Sequence, residues 1–406
     1  MLRLFFILSL LNLAQAKEVL SSYNFLANGL LPEGVFTFAY NTGQTSVIKN
    51  RYNNNGNRVS NTEWNSKKLS YNDLVQSSKD KTDEVLSSSA FKAFGIDLDS
   101  QAGEVINELN VNTSSKVFVL GYGINKTSNL FLIIPTVNVS FDIQSEFRAS
   151  ESYNQLVNDL RSSGQAQKAD YLEQVKRSPL KTRLNDNGQN LPTDINSVSN
   201  IYLNYRKKFS GIVSDTFAIV PYGYKYKTSD FIDYKLNDNS LGLKQGLGYD
   251  YTLTDNSLLG LYGSYHYRSP FKMDYRVPRT ENDPMSSDVE KDLNIKYGDQ
   301  VDLSTQFAYQ WNSLLGNYIN FRYLYSFKDS YRGSDFDDDR YDILESETDS
   351  KSLSAQVGFT VNTISSFIAQ KFILPIDLNI QYSKTLYAKN SFDADWVSLN
   401  LMVFYK

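Results

Sequence analysis

Ser264 and His266 stand two positions apart in the run Leu259–Tyr267, and a hydroxyl next to an imidazole on one strand face is the minimum for a nucleophile with its base. His266 is the only histidine in 406 residues and Cys is 0, so neither paired histidines nor thiolates are present to hold zinc. No Gly-x-Gly-x-x-Gly turn and no phosphate loop ending in Gly-Lys-Ser/Thr occurs, so the chain offers no cofactor site. The run Asp335, Asp337, Asp338, Asp339, Asp342 has the oxygen ligands a divalent cation takes. It lacks the Asp-x-Asp-x-Asp-Gly pattern and distal Glu of a calcium loop, which leaves Asp335, Asp337 and Asp339 as weak metal candidates on a solvated loop. Ser264 and His266 alternate with Leu259, Leu261, Tyr265 and Tyr267, so they share the polar face of their strand. A lining role is therefore expected of His266, with ester hydrolysis the remote alternative.

The elements that position these residues repeat. Val301, Leu303, Thr305, Phe307, Tyr309 and Trp311 alternate with Asp302, Ser304, Gln306, Ala308 and Gln310. After a turn at 313–317, Ile319, Phe321, Tyr323, Tyr325 and Phe327 alternate with polar partners. Further hairpins are expected from Lys116–Ile124 with Phe131–Phe141 and from Ile201–Phe209 with Phe217–Lys227. Leu241–Leu253 with Leu259–Tyr267 and Leu353–Val361 with Ile376–Tyr387 complete the five. Val35–Asn41 opens the series. Val397–Tyr405, with Val397, Leu399, Leu401, Val403 and Tyr405 on one face, closes it.

Twelve strands, each apolar on one face and polar on the other, describe an all-β chain: a transmembrane antiparallel up-and-down β-barrel, with fourteen strands the alternative count. The N-terminus supports export. Met-Leu-Arg leads into an apolar run of about ten residues, too short to span a membrane, and Ala14-Gln15-Ala16 has the small-x-small form of a cleavage site. Residues 1–16 are read as a signal peptide cleaved after Ala16, 17–33 as a periplasmic segment or short plug, and 34–406 as the barrel. This predicts a Gram-negative-type outer-membrane location, lipid around the wall and the barrel-assembly machinery as reader of the C-terminal strand. The formal net charge of −4 gives no support to a nucleic-acid partner, and a monomer is expected.

Short turns at 125–129, 210–215, 254–257, 313–317 and 365–372 alternate with longer segments. The longer ones, near 44–114, 148–196, 228–240, 278–299, 329–351 and 388–395, are expected outside the cell. Two of these carry helical spacing: Tyr153, Leu156, Val157, Leu160, then Ala166, Ala169, Leu172, Val175 up to Pro179, and a similar run from Leu74 to Leu109. The inward faces hold charges of both signs. Arg206, Lys208, Lys225, Lys227, Lys244, Asp250, His266, Arg268, Asp302, Arg322, Lys328 and Asp377 are the pore-lining candidates, with Asp142 and Glu146 on the same pattern. Pro135 and Pro221 occupy matching places in LFLIIPTV (130–137) and TFAIVPYG (216–223). Proline costs a ladder bond, so both are candidates for wall bulges.

With Leu31-Pro32-Glu33-Gly34-Val35, the Arg51–Gly56 segment and LGYGINKTSNLFLIIPTV (120–137) in view, the chain resembles the outer-membrane transporter-like barrels of the phenol-degradation meta-pathway family. That family is distant kin of the long-chain fatty-acid transporters. The resemblance implies a non-enzymatic channel for passive passage of small hydrophobic or weakly polar solutes, without a cofactor. A general diffusion porin and a closed surface barrel whose loops bind an external partner are the alternatives.

Overall fold

The computed structural model describes residues 30–61, 66–78, 88–186, 188–191, 193–230, 235–279 and 287–405. The expected signal peptide, and the 17–33 segment up to residue 29, lie outside them. Twelve antiparallel strands form the wall: β1 (Phe36–Thr45), β2 (Gln101–Asn125), β3 (Ser128–Ala149), β4 (Ile201–Phe209), β5 (Ile212–Val220) and β6 (Gly242–Thr254), followed by β7 (Ser257–Arg268), β8 (Gln300–Gln310), β9 (Leu315–Ser326), β10 (Ser350–Asn362), β11 (Ile376–Lys389) and β12 (Asp395–Tyr405). Each pairs with its chain neighbour, and β1 pairs with both β2 and β12, so the sheet closes with no edge.

Closure follows from alternation. Phe36, Leu120, Leu247, Leu303, Phe359 and Leu399 point outward and are exposed, while the residues between them are buried. A continuous outward apolar belt of this extent has lipid as its partner. The closed wall and its outward apolar belt are those of an outer-membrane β-barrel; among the described residues no helix is long and apolar enough to cross a membrane.

The turns show why the strands start where they do. Ser210 and Gly211 both take positive φ, 48° and 85°, which makes a two-residue turn of the hairpin type. β5 therefore begins at Ile212 rather than Phe217, and it ends at Val220 because Pro221 has no N–H to continue the ladder. The expected strand to Lys227 is corrected accordingly: Lys225 and Lys227 lie beyond the wall and are exposed. Pro221 terminates a strand instead of bulging it. Pro135 is paired with Val117 in unbroken register, so it makes no bulge either. On its other side the ladder changes partner, from β4 up to Ile133 to the short strand Asp194–Val198 from Thr136. The missing donor falls at that handover, and the Pro135 carbonyl accepts from Ser199 N.

The largest departure is in β2 and β3, with 25 and 22 residues. At about 3.3 Å per residue, β2 runs roughly 80 Å, more than twice what a bilayer needs. Residues 101–114, expected in a loop, are strand, and the hairpin projects from the long-loop end as an arm. Helices α1 (Tyr71–Ser78), α2 (Ser88–Ala93), α3 (Glu151–Ser162), α4 (Ala166–Arg177) and α5 (Pro179–Asp186) gather on that arm. The helical spacing is met: Tyr153, Leu156, Val157 and Leu160 of α3 and Leu172 of α4 are buried with Phe147 of the arm. Ser150 caps α3 by accepting from Tyr153 N. Pro179 ends the pattern as expected, since α4 stops at Arg177, and the proline then opens α5, where its fixed φ and absent N–H are tolerated.

A second external unit is a small sheet of Phe271–Pro278, Ser287–Lys296 and Ser330–Arg332 with helix α6 (Asp338–Glu345), cored by Tyr226, Tyr275, Tyr297, Tyr331 and Tyr341. At the short-turn end, α7 (Ile364–Ile368) lies in the β10–β11 connection and sends Ile364 into the barrel.

Candidate functional site

The interior of the wall is divided around its circumference. On β4 to β9 it carries charge. Arg206 and Asp215 face each other across β4 and β5, with Nε on Oδ1 at 2.8 Å and Nη2 on Oδ2 at 2.9 Å, and both are almost fully buried. Arg322 holds Asp302 in the same two-pronged way, at 2.6 and 2.5 Å. Lys244 of β6 stands between the two pairs, its Nζ 3.6 Å from Asp302 Oδ2. The planar guanidinium fork matches the two carboxylate oxygens, so each Arg–Asp pair is fixed in place as well as neutralised.

From β9 to β12 the interior carries amides. Asn320 Nδ2 donates to Gln356 Oε1 at 3.0 Å, Gln356 donates to Gln381, and Gln381 Nε2 donates to Ser398 Oγ at 2.6 Å. Tyr318 adds its hydroxyl to Gln381 Oε1 at 2.8 Å. These groups come from four consecutive strands, placed side by side by the register of β9, β10, β11 and β12.

The remaining arc, on β12, β1, β2 and β3, carries an apolar cluster, with Thr37, Asn129 and Asn400 as buried polar neighbours on the same strands. Val117, Val119, Phe131, Ile133, Met402 and Phe404 form one cluster with Leu31, and Phe217 and Ile219 carry it across to β5. Residues 30–34 run along this arc inside the barrel. Asn129 Nδ2 donates to the Leu31 carbonyl at 3.1 Å and Gly34 N to the Gly123 carbonyl at 2.8 Å. Gly123 leaves room for that segment: a Cβ there would lie 2.0 Å from the Pro32 carbonyl oxygen.

The expected residues distribute as follows. Arg206, Lys244, His266, Arg268, Asp302, Arg322 and Asp377 face the interior, and the first, third, fifth and last are buried. Lys208 and Asp250 occupy inward positions toward the short-turn end. Lys328 is exposed outside the wall, paired with Glu345 at 3.1 Å, and Asp142 and Glu146 are exposed on the arm. His266 does not bond to Ser264: its Nε2 faces Asp238 Oδ2 at 3.5 Å. Asp238 also takes Arg268 Nε at 2.9 Å and Asn200 Nδ2 at 2.6 Å, so these groups form a mouth cluster at the long-loop end. Asp335, Asp337 and Asp339 are exposed; Asp337 occupies the N-cap position of α6 without a side-chain capping bond, and Asp338 and Asp339 lie in its first turn, where the helix dipole favours anions. Among the described residues no cluster of three or more metal-ligating side chains occurs.

Sequence reasoning missed Asp215, Asp238, the amide chain and the apolar arc. Asp215 was assigned to a turn and Asp238 to a loop. Reading Ser210-Gly211 as a two-residue turn would have set Asp215 opposite Arg206. The unbroken apolar runs Val117–Leu120 and Leu130–Ile134 signalled strands apolar on both faces, one turned outward and the other into the barrel.

No family model matches the sequence, and no curated protein matches it. Among solved structures, an outer-membrane channel from Pseudomonas putida F1 superposes with a TM-score of 0.51 at 12% identity, covering 92% of this chain and 97% of that one. That likeness shows the fold. The monoaromatic hydrocarbon channel CymD (TM-score 0.34, 10% identity, 92% of this chain and 89% of that one) is a weaker neighbour. So is a Pseudomonas aeruginosa FadL homologue (0.34, 8%, 93% and 91%), and these two scores are too low to carry an argument.

Proposed function

We propose that the protein is a non-enzymatic outer-membrane channel for passive passage of small hydrophobic or weakly polar solutes, with its arm and helices outside the cell. One observation supports this above the others: the barrel interior is narrow, filled by its own side chains, and holds a packed apolar cluster on one side. Inward residues such as Gln356, Thr360, Asn320 and Asp215 are all nearly inaccessible, at 1%, 1%, 2% and 0%. A general diffusion pore needs a water-filled path, which such packing does not offer. The apolar cluster is packed against residues 30–34, so in this reading a hydrophobic solute passes where that segment gives way, and the amide and charged arcs bond any polar group it carries. Arg206, Lys244, His266, Asp302 and Arg322 are the proposed lining of this path. The C-terminal strand β12 is the element the assembly machinery would read, and the barrel acts as a monomer.

The test is reconstitution. In planar bilayers the protein should give at most a small unit conductance, and in liposome swelling it should admit small, weakly polar solutes and exclude sugars. A large conductance that passes ions in proportion to their bulk mobility would sink this reading in favour of a diffusion porin. The arm and the Tyr-cored sheet favour a second reading, a closed surface barrel that binds an external partner. Absence of any solute flux would move the assignment there.

A further inference from the structure

The short-turn rim of the barrel is uneven. On one side β2 and β3, β4 and β5, and β6 and β7 are joined through Lys126-Thr127, Ser210-Gly211 and Asp255-Asn256, all polar or small. The β10–β11 connection takes thirteen residues, 363–375, and after Ile364 has entered the barrel it leaves Phe367, Ile368, Phe372, Ile373 and Leu374 exposed. Ile373 is 87% exposed, more than any other large apolar side chain among the described residues. The adjoining β8–β9 turn adds Trp311, 65% exposed, and Leu314, whose carbonyl accepts from Asn362 N at 2.7 Å. That bond joins the two turns into one apolar collar.

The collar extends the outward belt of the wall. Trp311 meets Tyr309 edge-on with 5.9 Å between ring centres, and the outward pair Phe359 and Ile380 lies a few residues farther along β10 and β11. Its polar groups are provided for internally. The N–H groups of Phe367, Ala369, Gln370 and Lys371 donate to carbonyls of the same connection, and Thr363 Oγ1 bonds the Leu374 carbonyl at 2.7 Å and accepts from Ile376 N at 2.9 Å. Trp311 Nε1 donates to Asn317 Oδ1 at 2.5 Å. Backbone bonded in this way is what an apolar surrounding demands. Lys371, exposed in the middle of the run, carries its charge on a stem long enough to reach lipid headgroups.

We propose that residues 367–374, with Trp311 and Leu314, form an interfacial anchor that sits in the phospholipid leaflet at the short-turn end and holds the β8–β11 side of the barrel to it. An exposed apolar patch of this extent marks an interaction site, and here the occupant is lipid because the collar is continuous with the surface that lipid already covers. The anchor is independent of what passes through the lumen.

The chain contains no cysteine, so one introduced cysteine can be labelled alone. Ile373→Cys, Asp255→Cys at a polar turn of the same rim and Phe359→Cys in the belt would each carry a nitrobenzoxadiazole label, with the full chain in phospholipid nanodiscs, whose two faces are both open to water. Heat-modifiable gel mobility confirms that each barrel is folded. Lipids bearing a nitroxide high on the acyl chain should quench the label at 373 several-fold more than the label at 255, as they do the label at 359, and aqueous iodide should give the reverse order. A label at 373 that behaves like the one at 255, open to iodide and untouched by the nitroxide lipid, overturns the anchor and leaves the collar free for a periplasmic protein.

Discussion

The charged arc and the apolar arc of the lumen are built from the same alternating strands, yet they are held by different physics. On β4 to β9 the Arg206–Asp215 and Arg322–Asp302 pairs are made at hydrogen-bond distance, and position is set by the fork geometry of the two arginines. In the apolar cluster on β12, β1, β2 and β3, Val117, Phe131, Ile133 and Phe404 are located by burial against each other and against Leu31, with a side-chain hydrogen bond from Asn129 to the Leu31 carbonyl beside them. The charged arc is therefore intolerant of losing one partner, while the apolar arc tolerates changes that keep volume.

Breaking one partner of the charged arc should give the largest effect. Asp215→Ala leaves the Arg206 guanidinium buried and unpaired, and urea unfolding in micelles should show a loss of about 3–5 kcal/mol. The double change Arg206→Met with Asp215→Leu should recover most of it. If the single variant costs no more than the double, the pair does not organise this arc. On the apolar side, Ile133→Val removes one methylene from a residue 1% exposed. It should cost about 0.5–1.5 kcal/mol, and a cost as large as that of Asp215→Ala would erase the distinction between the arcs.

The smallest effect lies outside the wall and contrasts the external sheet with the barrel. The Asp288 carboxyl is held below its ordinary value by hydrogen bonds from Arg279, at 2.6 and 3.0 Å, and from Arg340 at 2.8 Å. Burial opposes the shift but does not cancel it. Because the folded form binds its proton less tightly than the unfolded chain, this contribution is complete above the ordinary carboxylate pKa of about 3.9 and is lost as pH falls through the depressed folded value. Hydrogen exchange, corrected for intrinsic rates, should show strand Ser287–Lys296 equally protected at about pH 6 and about pH 4.5 and loosening only as pH falls below about 4. Asp288→Asn should remove that pH dependence, and an unchanged profile would mean that the Arg279 and Arg340 contacts do not hold this strand.

Much of the wall was legible. Runs such as Val301–Trp311 and Val397–Tyr405 have a strict period of two, and a period of two over about ten residues admits one structure at a membrane. Less of the lumen was legible. Arg206 could be placed on an inward face, but its partner Asp215 depended on whether 210–215 or Ser210-Gly211 alone made the turn. One such shift in boundary moves a residue from a loop to the centre of the site. Asp238 reaches His266 and Arg268 from a segment with no periodicity at all, so nothing local announced it. The arm was hidden for a related reason. Residues 101–114 alternate weakly because that part of β2 stands outside the bilayer, with helices on it rather than lipid around it.

The sequence by itself determined that the chain is a twelve-stranded barrel with short turns at one end and long excursions at the other. Side-chain alternation is a local property, readable wherever one face is apolar. Only the tertiary structure decided what fills the barrel. The lumen's division into charged, amide and apolar arcs arises from register between strands far apart in the chain, such as Phe36 of β1 against Tyr405 of β12. Closing the sheet brings the two ends of the chain together and sets Leu31 inside it, and cross-strand register is fixed by pairing and packing that no single segment encodes.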